Sequence, residues 1–246
     1  MFDDFPEDVY EAARMLREMG VDPHGGSMIN ERSSDLVNNL GDFVFHILGC
    51  GAIGSSAALQ LARMGASQFC LYDMDDVEEL NIGVSQYTFN DIGKPKVDAL
   101  SDHLSDLNVD SVNKFNEYFS EYYPQGEFDI AILGFDSMEV RLRAVEALCG
   151  IKGVKPLHII DGRMGAEHYQ QYIISKPTVK KYMKYWYSDL DGSAEPCNAK
   201  ATSYCSNLSG SFIANAVRKI ATGQPYNIRS SFNFPNLLLE KSPMVS

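Results

Sequence analysis

Basic charge is scarce in this 246-residue chain: 21 lysines and arginines stand against 33 aspartates and glutamates, a formal net charge of −12. Nucleic acid and anionic membranes both reward a basic face, so the balance argues against either as a partner. Cysteine is sparse as well. The five residues Cys50, Cys70, Cys149, Cys197 and Cys205 are odd in number, scattered, and form no Cys-x-x-Cys, which argues against a disulfide scaffold or a zinc knuckle and for reduced thiols in the cytoplasm. No apolar run reaches the roughly 18 residues of a membrane span, and the start Met1-Phe2-Asp3-Asp4-Phe5 is acidic where a secretory signal is basic. The expectation is a soluble, unprocessed cytoplasmic protein. At this length a core forms without disulfides or structural metal.

What is present is a regular alternation. Residues 7–19 space Val9, Ala12, Ala13 and Leu16 as an amphipathic helix, and Gly20 stops it. A loop follows to Gly41, with a short helix expected around Asp35–Leu40. Phe43–Leu48, Gln68–Tyr72, Phe128–Leu133 and Leu157–Ile160 are short apolar runs of the kind that parallel strands buried on both faces require. Ser55–Met64, Pro95–Leu107 and Glu139–Cys149 read as the intervening helices. Such alternation predicts an α/β fold with a Rossmann-like, doubly wound, mainly parallel sheet. Beyond Gly165 the pattern changes: Tyr169–Ile174 alternates like an antiparallel strand, and Ser206–Thr222 is a helix containing small residues. The expected division is an N-terminal helix and loop (1–41), a nucleotide-binding domain (42–177) and a C-terminal extension packed on it (178–246).

The chemistry gathers at the strand ends. Gly49-x-Gly51-x-x-Gly54 follows the first strand and opens a helix. Glycines there allow a tight turn and bring phosphate against backbone N–H groups at a helix N-terminus. Asp73 ends the next strand, 19 residues beyond Gly54, placed to accept ribose hydroxyl hydrogen bonds. These features alone do not choose between NAD and ATP. The following segment separates the two: Asp73-Met74-Asp75-Asp76-Val77, then Asn81, Gln86 and Asp91-Ile92-Gly93-Lys94-Pro95-Lys96. Lys96 sits at a helix start, where a cation opposes the dipole unless an anion shares the site, and a triphosphate is such an anion. Asp136 ends the third strand, where a carboxylate could hold Mg²⁺ against phosphates. The bland readings are a solvated Lys96, an Asp136 that caps the next helix, and an Asn81 that makes a turn. Asp75 is a further ligand or the start of that turn.

Taken together, Gly-x-Gly-x-x-Gly, Asp-x-Asp-x-Val, Asn81, Gln86, Asp-Ile-Gly-x-x-Lys and Asp136 with Arg141 five residues on resemble the ThiF/MoeB adenylyltransferases, whose fold ubiquitin-activating enzymes share. The resemblance runs from about Asp42 to Pro177. It implies ATP-dependent activation of a carboxylate, at the tail of a ubiquitin-like or sulfur-carrier protein or a peptide, giving an acyl-adenylate and pyrophosphate. It also implies a homodimer, with Gly49, Gly51 and Gly54 on phosphates, Asp73 on the ribose, Asn81 and Lys96 on the triphosphate, and Asp136 on magnesium. The chain departs from the pattern where the family has Asn-Leu-x-Arg-Gln. Asn81-Ile82-Gly83-Val84-Ser85-Gln86 lacks the arginine. Arg141, Arg143 and Arg163 are substitutes in the same chain, and Arg14, Arg17 or Arg32 could act across a dimer.

A thioester would need an exposed thiolate. Cys197 in an expected loop is the candidate, with Cys205 at a helix start second, since a helix dipole lowers a thiol pKa. The Tyr- and Lys-rich run Lys180–Tyr187 is read as a partly packed strand pair or a peptide groove, and His158 as a satisfied core residue. The rival functions are an NAD(P)-dependent oxidoreductase and a non-catalytic nucleotide-binding scaffold.

Overall fold

The structure, a computed structural model, describes residues 36–37, 40–109, 111–126, 128–189 and 201–245. The expected opening helix at 7–19, Arg14, Arg17, Arg32 and Cys197 lie outside the described residues. Ten strands and six α-helices follow one another as β1 (Phe43–Leu48), α1 (Ala52–Arg63), β2 (Gln68–Tyr72), α2 (Glu79–Ile82), α3 (Lys96–Ser105), β3 (Ser111–Phe115), β4 (Phe128–Leu133), α4 (Met138–Cys149), β5 (His158–Met164), β6 (His168–Ser175), α5 (Val179–Tyr182), α6 (Ser203–Ala221), β7 (Tyr226–Asn227), β8 (Arg229–Asn233), β9 (Leu238–Lys241) and β10 (Met244–Val245) among the described residues.

Eight strands form one sheet in the order β3-β2-β1-β4-β5-β6-β8-β9. The pairs from β3 to β5 are parallel, and those from β5 to β9 antiparallel. The chain winds outward from β1 to β3, then returns past β1 to β4. The gap between β1 and β4 is therefore the switch point at whose carboxyl edge open α/β sheets bind ligands. Register brings the ends level: Leu48 lies opposite both Tyr72 and Leu133, so the loops after β1, β2 and β4 emerge side by side.

Strand β1 shows why both faces are covered. Phe43, Phe45 and Ile47 point into a core shared with α1, α3 and α6, while Val44 and Leu48 point into a second core under α4 and Tyr182. Helix α6 lies close against α1 because its contact face is small. A Cβ on Gly210 would come within 2.3 Å of Ser56 Oγ, and Ser206 Oγ donates to the Ala52 carbonyl at 2.8 Å. The C-terminal segment is thus packed on the first turn of α1.

Three readings change. The strand expected at Leu157–Ile160 runs on: β5 continues to Met164, with Asp161 neutralised inside the sheet by two arginines. Of the helix expected around Asp35–Leu40, residues 35, 38 and 39 lie outside the described residues, and Leu40 opens a 3-10 turn, Leu40–Asp42. Lys180–Tyr187 is no strand pair: α5 occupies Val179–Tyr182, capped by Thr178, whose Oγ1 accepts from the Lys181 N–H at 3.2 Å. Strand β3 was not expected, since Ser-Val-Asn-Lys-Phe is a polar, exposed edge.

Candidate active site

The glycine turn is shaped by backbone crowding. Gly49 has φ +94°, and a Cβ there would lie 3.0 Å from the Gly134 carbonyl carbon. A Cβ on Gly54 would lie 1.9 Å from the Gly49 carbonyl oxygen, so no side chain fits. The loops after β1 and β4 therefore touch backbone to backbone. Gly51 is different: nothing lies within 4 Å of where its Cβ would be. It is the N-cap of α1, and no side chain caps it, so the start of α1 is uncrowded at Gly51, as an anion cradle requires.

Asp73 reaches back to this turn. Its Oδ2 accepts from the Cys50 N–H at 2.7 Å and its Oδ1 from the Asp75 N–H at 2.9 Å. Each carboxylate oxygen keeps a lone pair for another donor. Burial pushes its pKa above the usual carboxylate value, against the lowering effect of these hydrogen bonds and of Lys96.

Lys96 opens α3, as its helix-start position implies. The residue is only 9% exposed, and Nζ donates to Asp75 Oδ2 at 2.8 Å. The anion beside it in the structure is thus Asp75. Burial disfavours the ammonium, but the Asp75 hydrogen bond and the charges of Asp73 and Asp75 outweigh it and hold the pKa above lysine's ordinary value. The loop before Lys96 pairs with the segment after β2: the Lys96 N–H donates to the Asp75 carbonyl at 2.9 Å, and the Val77 N–H to the Lys94 carbonyl at 2.8 Å. Asp91 pins its base, accepting from the Thr88 N–H at 2.8 Å and Lys94 Nζ at 3.2 Å, with His103 Nε2 at 2.8 Å.

Asn81 and Gln86 have partners of their own. Asn81 Oδ1 accepts from the Glu78 N–H at 2.9 Å, half of a capping box on α2. Gln86 donates its N–H to Ser55 Oγ at 3.2 Å and its Nε2 to Asn207 Oδ1 at 2.9 Å, linking this segment to α1 and α6.

Asp136 is exposed on the loop after β4. It does not cap α4, contrary to the bland reading; Ser137 does, accepting from the Val140 N–H at 3.4 Å. Asp189 also accepts from the Met138 N–H, at 3.1 Å, and Trp186 Nε1 donates to the Met138 carbonyl at 2.9 Å. The segment after α5 thus ends against the Asp136 loop.

Of the candidate replacement arginines, Arg143 is exposed, whereas Arg141 and Arg163 are buried. Both are held by Asp161. Arg141 also donates to the carbonyls of Leu133 and Phe135, on either side of Gly134. Arg163 makes two bonds to Asp161 Oδ2, at 2.7 and 2.9 Å, and lies 4.4 Å from the Tyr172 ring centroid and 5.1 Å from that of Tyr187. Sequence reading missed this cluster because Arg141 lies twenty residues before Asp161. A charged pair flanking Gly162 directly after an apolar strand was the available signal.

Cys205 is corrected: its thiol is fully buried, and burial pushes its pKa to about 11, so the helix start does not make it a ready nucleophile. Cys50 is buried in the turn with its thiol likewise pushed up. His158 is buried, with Nε2 3.3 Å from the Tyr226 hydroxyl, but its Nδ1 has no partner, so it is only half satisfied.

Comparison with known proteins follows the same outline. Over 88 residues the chain is 32% identical to tRNA threonylcarbamoyladenosine dehydratase of Bacillus subtilis (strain 168), covering 35% of each chain. Over 184 residues it is 26% identical to ubiquitin-like modifier-activating enzyme 5 of Branchiostoma floridae, covering 60% of this chain and 45% of the relative. The chain thus spans between about a third and a half of the length of these two relatives. Among solved structures, E. coli MccB with ATP superposes with TM-score 0.64 at 17% identity, covering 98% of this chain and 80% of MccB. PaaA does so with TM-score 0.64 at 19% identity, covering 99% and 77%. The ThiF family model matches residues 27–241, and the chain belongs to the ThiF family.

Proposed function

We propose that this chain is an adenylating enzyme: it binds Mg·ATP at the carboxyl edge of β1, β2 and β4 and activates the carboxylate of a peptide or ubiquitin-like protein. The observation that carries the reading is the pairing of an open, uncapped glycine turn with Lys96, joined through Asp73 and Asp75. A dehydrogenase has no need of that lysine. Relatives support the direction, since MccB has been solved with ATP, and with AMPCPP and MccA, and other relatives are ubiquitin-like modifier-activating enzymes.

In the reaction a carboxylate oxygen attacks the α-phosphorus. The bond from that phosphorus to the bridging oxygen of the β-phosphate breaks, and the electron pair leaves with pyrophosphate. The N–H groups of the glycine turn and Lys96 would hold the phosphates, and Asp73 would accept from the ribose. Asn81 and Gln86 would serve as further ligands, each after exchanging its present partner. Among the described residues no three acidic, histidine or cysteine side chains converge on a metal cage. The residues fit Mg²⁺ in its usual nucleotide mode, one or two carboxylates completed by phosphate oxygens, with Asp136 as the carboxylate. Bound there, the metal would neutralise phosphate charge.

With Arg141 and Arg163 engaged by Asp161, neither is placed to stand in for the missing family arginine. Arg14 or Arg17, supplied by a second copy in a cytoplasmic homodimer, is our proposal. Mixing an Arg14→Ala/Arg17→Ala variant with a Lys96→Ala variant should restore ATP–pyrophosphate exchange that neither shows alone. Full activity of the double-arginine variant by itself would exclude the shared site. For the reading as a whole, calorimetry should show Mg·ATP binding and no NAD binding; the reverse would make the protein an oxidoreductase. ATP binding without turnover on any carboxylate would make it a scaffold, as the lost arginine suggests.

A further inference from the structure

Cys50, the second residue of the glycine turn, is held at both ends of its backbone. Its N–H donates to Asp73 Oδ2 at 2.7 Å, and its carbonyl accepts from the Tyr87 hydroxyl at 2.5 Å. Tyr87 directly follows the segment that lacks the family arginine and is buried in the core beside α1 and α3. The same hydroxyl lies 3.3 Å from the carbonyl of Lys96. A single buried oxygen therefore sits between the glycine turn and the first residue of α3.

The Cys50 carbonyl and the Gly51 N–H belong to one peptide unit. No described peptide is cis, and in a trans unit the two groups point in opposite directions. A carbonyl drawn inward to Tyr87 turns the Gly51 N–H outward. Gly51 itself is uncrowded, with nothing within 4 Å of where its Cβ would be, at the uncapped start of α1. We propose that Tyr87 is a positioning residue for the triphosphate: its hydroxyl fixes the Cys50–Gly51 peptide so that the Gly51 N–H points into the mouth of the glycine turn. The inference rests on the ATP reading above. Burial and the nearby charges of Asp73 and Asp91 push the Tyr87 pKa well up, so the hydroxyl keeps its proton and remains a donor at any working pH. A phenylalanine would fill the same core volume and leave the Cys50 carbonyl buried with no donor, free to swing away.

Tyr87→Phe tests this, because it removes one oxygen and keeps the ring. The expected variant folds, with a melting temperature within a few degrees of wild type. It binds Mg·ATP about three- to tenfold more weakly, the scale of one lost hydrogen bond. Adenosine, measured by ligand-observed NMR, binds it unchanged, since no phosphate is involved. Amide exchange across residues 49–54 of the ligand-free protein becomes faster. A purely structural hydroxyl would weaken both ligands alike or neither. Unchanged Mg·ATP affinity, equal weakening of adenosine, unaltered amide exchange, or failure to fold would each overturn the proposal. A wild-type protein that binds no Mg·ATP would remove the ATP reading and this inference with it, whereas normal wild-type binding with an indifferent variant removes the inference alone.

Discussion

The Lys96–Asp75 pair and the Arg141–Asp161–Arg163 group are made of the same chemistry and sit in opposite settings. The Asp75 side chain is 61% exposed, and one hydrogen bond joins it to Lys96. Asp161 is fully buried, with both oxygens taken by guanidinium groups that are themselves 3% and 6% exposed. An exposed carboxylate can give up its lysine to another anion at small cost, because water then hydrates the freed carboxylate. A buried one cannot, since an unpaired charge would remain in the core. The first pair is therefore suited to exchange with a ligand, and the second to brace the strand ends around Gly134.

The largest effect should come from the exchanging side. Lys96→Ala and Asp136→Ala should each lower turnover by at least about 10²–10³-fold, the scale of a lost charge-stabilising group, with circular dichroism unchanged. Turnover near wild type in either variant would remove that residue from the site. The bracing side should respond in stability. Asp161→Ala leaves two buried guanidinium groups unpaired and should cost roughly 3–5 kcal/mol of unfolding free energy, read by urea denaturation; a change below about 1 kcal/mol would mean that the arginines find water or other partners.

How far the sequence foretold these two regions follows from their geometry. β1, β2 and β4 match their apolar runs residue for residue, because burial on both faces makes each run mostly apolar, with one polar residue apiece. The glycine turn, Asp73 and Lys96 were legible as well, since each stands at a junction of strand, turn and helix. The brace was not. Arg141, Asp161 and Arg163 meet only when β4, α4 and β5 assemble, and local sequence shows an aspartate after an apolar run as a strand end. Polar β3 was missed because edge strands need little apolar surface, and the capping role of Asn81 was not legible because it depends on Glu78 three residues earlier.

A third buried group lacks the counter-charge that distinguishes the brace. Burial lowers the His158 pKa from 6.5 to about 4. The unfolded chain thus binds the extra proton first, and stability should fall as pH drops from about 6.5 towards 4, by roughly 3 kcal/mol in all. His158→Gln should flatten that slope in denaturation curves taken across the window; an unaltered slope would place the titration elsewhere. The smallest expected effect is at Asp75. Asp75→Asn frees Lys96 from its present anion and should tighten Mg·ATP a few-fold by calorimetry, whereas weaker binding would make Asp75 a ligand in its own right and not a placeholder.

The most direct test of the central claim is ATP–pyrophosphate exchange, in which labelled pyrophosphate returns to ATP only if the adenylate forms reversibly. The account predicts exchange that requires Mg²⁺ and a peptide or ubiquitin-like protein with a free carboxylate, and that disappears in Lys96→Ala. Labelled ATP converted to ADP and phosphate, with no pyrophosphate exchange under any carboxylate supplied, would contradict it.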